Sequence, residues 1–198
     1  MRRIVLASSN PGKLAELREL LDGLDCELVA QTELGIGDAD ETATTFIENA
    51  LLKARHATSR SGLPAIADDS GLCVDALGGA PGLYSARYSG VHGDNAANNA
   101  KLLAELREVP DERRGAYFHS TVVLLRRADD PAPLIAQGTW HGRILHAPRG
   151  THGFGYDPVF FDPVLNQGAG ELEAPVKNRV SHRAQALRVL RERLQNGF

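Results

Sequence analysis

The chain has little sulfur, few aromatics and no excess of either charge. Its 198 residues include two cysteines, one methionine and one tryptophan, and 22 basic against 25 acidic side chains leave a formal charge of -3. Cys26 and Cys73 sit in apolar stretches without CxxC spacing, which argues against a disulfide framework or a zinc site. They read as reduced core residues of a cytoplasmic protein. Near-neutral charge without a basic run excludes a surface held to nucleic acid or anionic lipid by bulk electrostatics, so neither is expected as a partner. Any polyanion bound here is small and met locally. No apolar run is long enough to cross a bilayer, and the first, at residues 4–7, breaks at Ser8, short of a signal-peptide core. Repeats and low-complexity tracts are also absent.

What remains is an ordinary globular composition, 42% hydrophobic and 24% charged. A chain of this length buries roughly 70% of the surface its unfolded form exposes, enough for a core without a staple. Residues 1–198 therefore read as one domain. Strand-like and helix-like patterns alternate, which predicts an α/β fold with a mixed central sheet flanked by helices. Residues 4–7 read as a buried strand. Asn10-Pro11 then supplies an N-cap and a first-turn proline to a helix whose Leu14, Leu17 and Leu21 share a face. A short strand covers residues 27–30. Thr45-Phe46-Ile47-Glu48 is a capping-box pattern opening a helix to about residue 59, and residues 65–69 form a third strand. Residues 78–82 are a glycine-proline turn, 94–107 a helix, and 117–126 with 134–140 successive antiparallel strands. The segment 148–158 is a glycine-rich loop and 166–175 a surface segment. Ser181 caps a last helix with Leu187, Leu190 and Leu194 inward.

Four segments carry candidate chemistry. Ser8-Ser9-Asn10-Pro11-Gly12-Lys13 joins a strand to a helix, where free backbone N–H groups, the helix dipole and the Lys13 charge suit an anion. It is not a Walker A loop, since the first glycine is missing and Leu14 replaces the magnesium-holding Ser or Thr. Alone, it is better explained as an ordinary capped helix. Asp68-Asp69-Ser70-Gly71 puts consecutive carboxylates at a strand's end. Alternate strand residues face opposite ways, so the two acids have different jobs, and one can face a cleft to hold a hard cation or take a proton. Lys53 shares the inward helix face of Phe46, Ala50, Ala54 and Ala57, so it must snorkel or meet an anion. Glu41, in an acidic run with Asp38 and Asp40, could complete a metal site with Asp69, although a solvated loop explains it as well or better. In Gly153-Phe154-Gly155-Tyr156-Asp157-Pro158 an aromatic between glycines can lie flat on a base. Lys177-Asn178-Arg179-Val180-Ser181-His182-Arg183 offers donors in fixed directions. A glycine turn and a polar helix cap would account for the same residues; GxGxxG is absent, so a Rossmann reading fails.

In order and spacing these motifs resemble the Ham1/RdgB family, inosine triphosphate pyrophosphatases that hydrolyse non-standard purine nucleoside triphosphates. The likeness runs through residues 7–13, 41–53, 67–72, 77–82, 153–158 and 181–183, nearly the whole chain. It implies an elongated α/β fold of two lobes with a central cleft, a homodimer, and dependence on Mg²⁺, with Mn²⁺ as the alternative. It also implies cleavage of ITP, dITP, XTP or dXTP to the monophosphate plus pyrophosphate, which keeps these nucleotides out of DNA and RNA. By the same resemblance Ser8, Ser9, Asn10, Pro11, Gly12, Lys13 and Lys53 would hold phosphates. Glu41 and Asp69 would hold the metal, and Asp69 would be the catalytic proton acceptor. Ser70, Gly155 and Tyr156 join the substrate-binding set, Phe154 stacks on the base, and Asp157, Lys177, His182 and Arg183 read its edge. Two departures stand out: Ser8-Ser9-Asn10 replaces the family's Thr-Gly-Asn, and Glu173-Ala174-Pro175-Val176 is less acidic than in relatives.

A Maf-like pyrophosphatase acting on dTTP or UTP shares a start like Leu6-Ala7-Ser8-Ser9 but continues with Pro-Arg-Arg and lacks the Ser181-His182-Arg183 ending. A non-hydrolysing nucleotide sensor would bind without needing the Glu41 and Asp69 pair. A haloacid-dehalogenase phosphatase wants Asp-x-Asp after its first strand, which Asp68-Asp69-Ser70 does not supply.

Overall fold

The computed structural model describes residues 2–195. Its strands are β1 (Arg2–Leu6), β2 (Cys26–Ala30), β3 (Ala65–Val74), β4 (Gly115–Leu125), β5 (Leu134–Ile144), β6 (Phe160–Asp162) and β7 (Gln167–Gly168). The helices are α1 (Pro11–Leu20), α2 (Phe46–Ser61), α3 (Asn95–Glu105), α4 (Ala174–Val180) and α5 (His182–Gln195). The strands form one sheet in the order β2-β1-β3-β4-β5-β6-β7. β1 runs parallel to β2 and β3, while β6 is antiparallel to β5 and β7, so the fold is the mixed α/β type read from the sequence. No helix among the described residues is long and apolar enough to cross a membrane.

By contacts the chain divides into two compact units. The first comprises Met1–Asp69, Ser120–Gly138 and Arg183–Phe198. Its core follows the period of two along its strands. Ile4 and Leu6, Ile66, and Val122 and Leu124 point to the layer made by α1 and α5, where Leu17, Leu21, Leu187 and Leu190 are buried. Val5, Ala65, Ala67, Val123 and Leu125 point the other way, onto Ala50, Ala54 and Ala57 of α2. Burial on both faces explains why these strands read as continuous apolar runs.

The second unit comprises Ser70–His119 and Thr139–His182. Leu72, Val74, Leu102, Leu106, Phe118, Trp140 and Phe160 form its core. Phe160 meets Phe118 at 4.7 Å and Trp140 at 4.9 Å between ring centroids, and the Trp140 indole donates to Asp162 Oδ2 at 2.7 Å.

Local expectations hold where they rest on caps. Asn10 accepts from the Lys13 N–H at 3.0 Å with Pro11 next, and Asp94 caps α3 through the Ala97 N–H at 2.9 Å. Thr45 accepts from the Glu48 N–H at 3.3 Å, but the Glu48 carboxylate takes the Thr45 hydroxyl at 2.7 Å. Other expectations change. The third strand does not end at its acids: β3 runs on to Val74, because Leu72-Cys73-Val74 is as apolar as the segment before the acids. Gly71 lets it continue, since a Cβ there would lie 2.2 Å from the Gly82 carbonyl oxygen. Residues 166–175 are not a surface segment: Ala169 and Leu172 enter the second unit's core, and Gly170 lies against the loop before it. Ser181 precedes the last helix as expected, but it also terminates α4, which the sequence reading left unassigned.

Candidate active site

The first unit gathers the residues expected to meet phosphate and metal. The period of two along β3 sorts its two acids. Asp69 follows Ala67 on the α2 face and Asp68 follows Ile66 on the face of α1 and α5. On the α2 face, Lys53 Nζ lies 2.7 Å from Asp69 Oδ1 and 2.9 Å from Glu41 Oε1. The half-buried lysine therefore meets anions rather than snorkelling.

On the other face, Asp68 Oδ2 takes Lys13 Nζ at 3.0 Å and Arg183 Nη2 at 3.1 Å, while Oδ1 takes the Ser120 hydroxyl at 2.5 Å. Glu16 also pairs with Arg183. The phosphate loop is fastened locally. Ser8 Oγ accepts from the Asn10 N–H at 3.2 Å, and Ser9 Oγ donates to Asp38 Oδ2 at 2.6 Å. Gln31 holds the other oxygen of Asp38 at 2.6 Å. Pro11 and Gly12 open α1, and Ser70 follows Asp69 in β3 as a half-buried residue.

These surroundings split the acids chemically. Burial pushes Asp68 up, but Arg183 and Lys13, with the Ser120 hydroxyl, outweigh it and hold the carboxyl well below its usual range. For Asp69 burial wins: its pKa is raised, with Lys53 and Lys13 offsetting only part. Burial also lowers Lys13, Asp68 offsetting part of that. Lys53 is raised, because Asp69 and Glu41 outweigh burial.

The donor set fits a hard divalent cation. Glu41 and Asp69 already share one cationic group, and no cluster of three or more metal-ligating side chains exists among the described residues. One or two carboxylates completed by water and phosphate oxygens is the usual arrangement for Mg²⁺ beside a polyphosphate, in contrast to an all-protein cage. Charge balance points the same way. Lys13, Lys53 and Arg183 face Glu16, Glu41, Asp68 and Asp69, so a bound triphosphate would need further positive charge.

The second unit gathers the residues expected to meet the base. Asp157 Oδ2 accepts from Lys177 Nζ at 2.6 Å and from the Phe154 N–H at 2.8 Å. The Lys177 ammonium lies 4.7 Å from the Phe154 ring centroid. His182 stacks on Phe118 with centroids 4.8 Å apart and planes 11° from parallel, which fixes its ring. Gly155 accepts from Asn99 through its carbonyl oxygen. Tyr156 is a core side chain whose hydroxyl donates to the Ser85 carbonyl at 2.8 Å. Arg183, grouped with His182 by their adjacency in sequence, has its guanidinium on Asp68 and Glu16 in the first unit.

Sequence reasoning named Asp38 only as part of an acidic run and missed Glu16, Ser120 and Asn99. Asp38 and Glu16 are single charges among many, and Ser120 lies in an apolar strand. Asn99 left one trace: Asn98 and Asn99 are adjacent inside a helix, where asparagine is a weak former.

The Ham1 family model matches residues 4–193. Over 194 residues the chain is 61% identical to the dITP/XTP pyrophosphatase of Xanthomonas campestris, covering 98% of each. Over 196 residues it is 56% identical to the dITP/XTP pyrophosphatase of Yersinia pestis, covering 99% of this chain and 100% of that one. Among solved structures, a HAM1 protein from Coxiella burnetii superposes with a TM-score of 0.92 at 48% identity, covering 100% of both chains. A nucleoside-triphosphatase, or dITP/XTP pyrophosphatase, from Mycobacterium abscessus gives 0.75 at 46% identity, with 95% of this chain and 98% of that one covered.

Proposed function

The chain belongs to the Ham1 family, and we propose on that premise that it hydrolyses non-canonical purine nucleoside triphosphates, dITP and XTP among them, to the monophosphate plus pyrophosphate. The observation that carries the chemistry is the placement of Asp69 and Glu41 around the Lys53 ammonium. Lys13, Lys53 and the start of α1 are assigned to the polyphosphate, and Ser8, Ser9, Asn10, Pro11 and Gly12 line that start. Glu41 and Asp69 would hold Mg²⁺, which when bound supplies charge neutralisation at the phosphates. Water attacks the α-phosphorus, the bond from that phosphorus to the bridging oxygen breaks, and pyrophosphate leaves. Asp69 takes the water proton as the carboxylate placed beside Lys53 and Glu41.

The base is assigned to the second unit. Phe154 supplies the flat face. Lys177 and His182 supply donors that suit a 6-keto oxygen and oppose a 6-amino group. Asp157 holds Lys177 in place for this task. The free cysteines Cys26 and Cys73 support a reducing, cytoplasmic setting, and a homodimer is the proposed assembly.

The test offers dITP, XTP, dATP, dGTP, dTTP and UTP with Mg²⁺ and measures pyrophosphate separately from orthophosphate. Pyrophosphate from dITP and XTP alone is the expected result. Preference for dTTP or UTP would move the assignment to a Maf-like enzyme, and binding without turnover would make the protein a sensor.

A further inference from the structure

We infer that Asn99 is a positioning residue for the loop that carries Phe154, a role that rests on the reading of Phe154 as the purine platform. Helix α3 holds two adjacent asparagines. Asn98 is satisfied on both sides: its Oδ1 accepts from the Ser89 N–H at 2.7 Å and its Nδ2 donates to the Ala86 carbonyl at 3.3 Å. Asn99 is not. Its Nδ2 donates to the Gly155 carbonyl oxygen at 3.0 Å, while its Oδ1 is buried with no partner. A buried acceptor without a partner lowers stability, and leucine would fill the same volume without leaving one. The asparagine is therefore unfavourable for folding except for one bond. That bond lands on the residue after Phe154.

The loop needs such a tie. Phe154 sits between Gly153, with φ +75°, and Gly155, with φ +63°, and glycine surrenders more backbone freedom on folding than any other residue. Within the loop, Asp157 accepts the Phe154 N–H at 2.8 Å through its carboxylate, and its own N–H donates to the Phe154 carbonyl at 3.2 Å. Lys177 of α4 holds that carboxylate at 2.6 Å, which anchors the N–H side of Phe154 but leaves the chain after it to other contacts. Tyr156 reaches the Ser85 carbonyl with its hydroxyl, at the end of a long side chain. The Asn99 bond fixes the Gly155–Tyr156 peptide plane, one residue beyond Phe154, to a regular helix through a short side chain. A stacking face is useful only when its tilt is held within about 10–20°.

The test uses Asn99→Asp, which keeps the shape and an acceptor but loses the donor, and Asn99→Leu, which also removes the partnerless oxygen. Three readouts are taken: kcat and KM for dITP, affinity for inorganic tripolyphosphate with Mg²⁺, and amide hydrogen exchange across residues 153–157. Both variants should lower kcat/KM for dITP by about 10- to 100-fold through KM. Tripolyphosphate affinity should stay unchanged, and exchange at 153–157 should quicken. An unchanged KM for dITP, or equal weakening of both ligands, overturns the inference. If the unmodified protein does not release pyrophosphate from dITP, the functional reading fails separately. Exchange then decides alone: quickening confined to 153–157 supports the positioning role and unaltered exchange overturns it.

Discussion

Asp68 and Asp69 are neighbours, equally buried within a few per cent, and shifted in opposite directions. Paired groups pushed apart by their surroundings mark a division of labour: a carboxylate locked in its charged form anchors structure, and one lifted by burial exchanges a proton. Asp68→Asn leaves the buried Arg183 and the half-buried Lys13 beside a neutral amide, and the loss should be about 3–5 kcal/mol in urea unfolding. Asp69→Asn should instead lower turnover by at least ~10²–10⁴-fold. It should lower the melting temperature by no more than about 2–4 °C. A variant at position 69 that stayed active would sink the assigned base. The division itself was legible in the sequence, because consecutive strand residues must face opposite ways. Which acid faces which side was not legible from the residues alone, and only the family resemblance singled out Asp69, since Asp68 pairs with Arg183, 115 residues away.

Elements announced by caps and apolar periods were legible: α1, α2, α3 and the strands of the first unit. Those set by close backbone packing were not, and β3 shows why. Its acids read as a strand end because charge is costly inside a sheet, yet cations waiting on both faces remove that cost. The segment 166–175 reads as surface because its apolar pattern is weak, yet Ala169 and Leu172 are core and Gly170 packs on backbone. A Cβ on Gly150 would lie 1.9 Å from the Gly170 carbonyl oxygen at φ +77°. Gly150→Ala should therefore cost about 3 kcal/mol or more, combining left-handed strain with backbone overlap. Gly62 has a similar φ of +69° but nothing within 4 Å, and Gly62→Ala should cost only about 1–2 kcal/mol. Urea midpoints of the two variants separate packing from conformation. Equal losses would show that the contact at Gly150 yields without penalty.

For the whole molecule, near-neutral charge reflects cancellation at close range, and its signature is stability against pH in the metal-free protein. Asp68 and Asp130 have folded pKa values below 3.8. The second is held low first by the Arg126 side chain, with backbone N–H groups of Arg126 and Ala132 adding to it. Their stabilisation is complete above 3.8 and is lost as pH falls below it, because only the unfolded chain binds protons readily there. Asp69 runs the other way. Its folded pKa lies above 3.8, so on the way down from neutrality the folded state binds the proton first and gains stability. The melting temperature should thus hold or rise from pH 7 to about pH 5 and drop below about pH 4. Asp69→Asn should remove the rise and keep the drop, while Asp130→Asn should shrink the drop and keep the rise. A steady fall from neutrality in the unmodified protein would contradict a burial-raised Asp69.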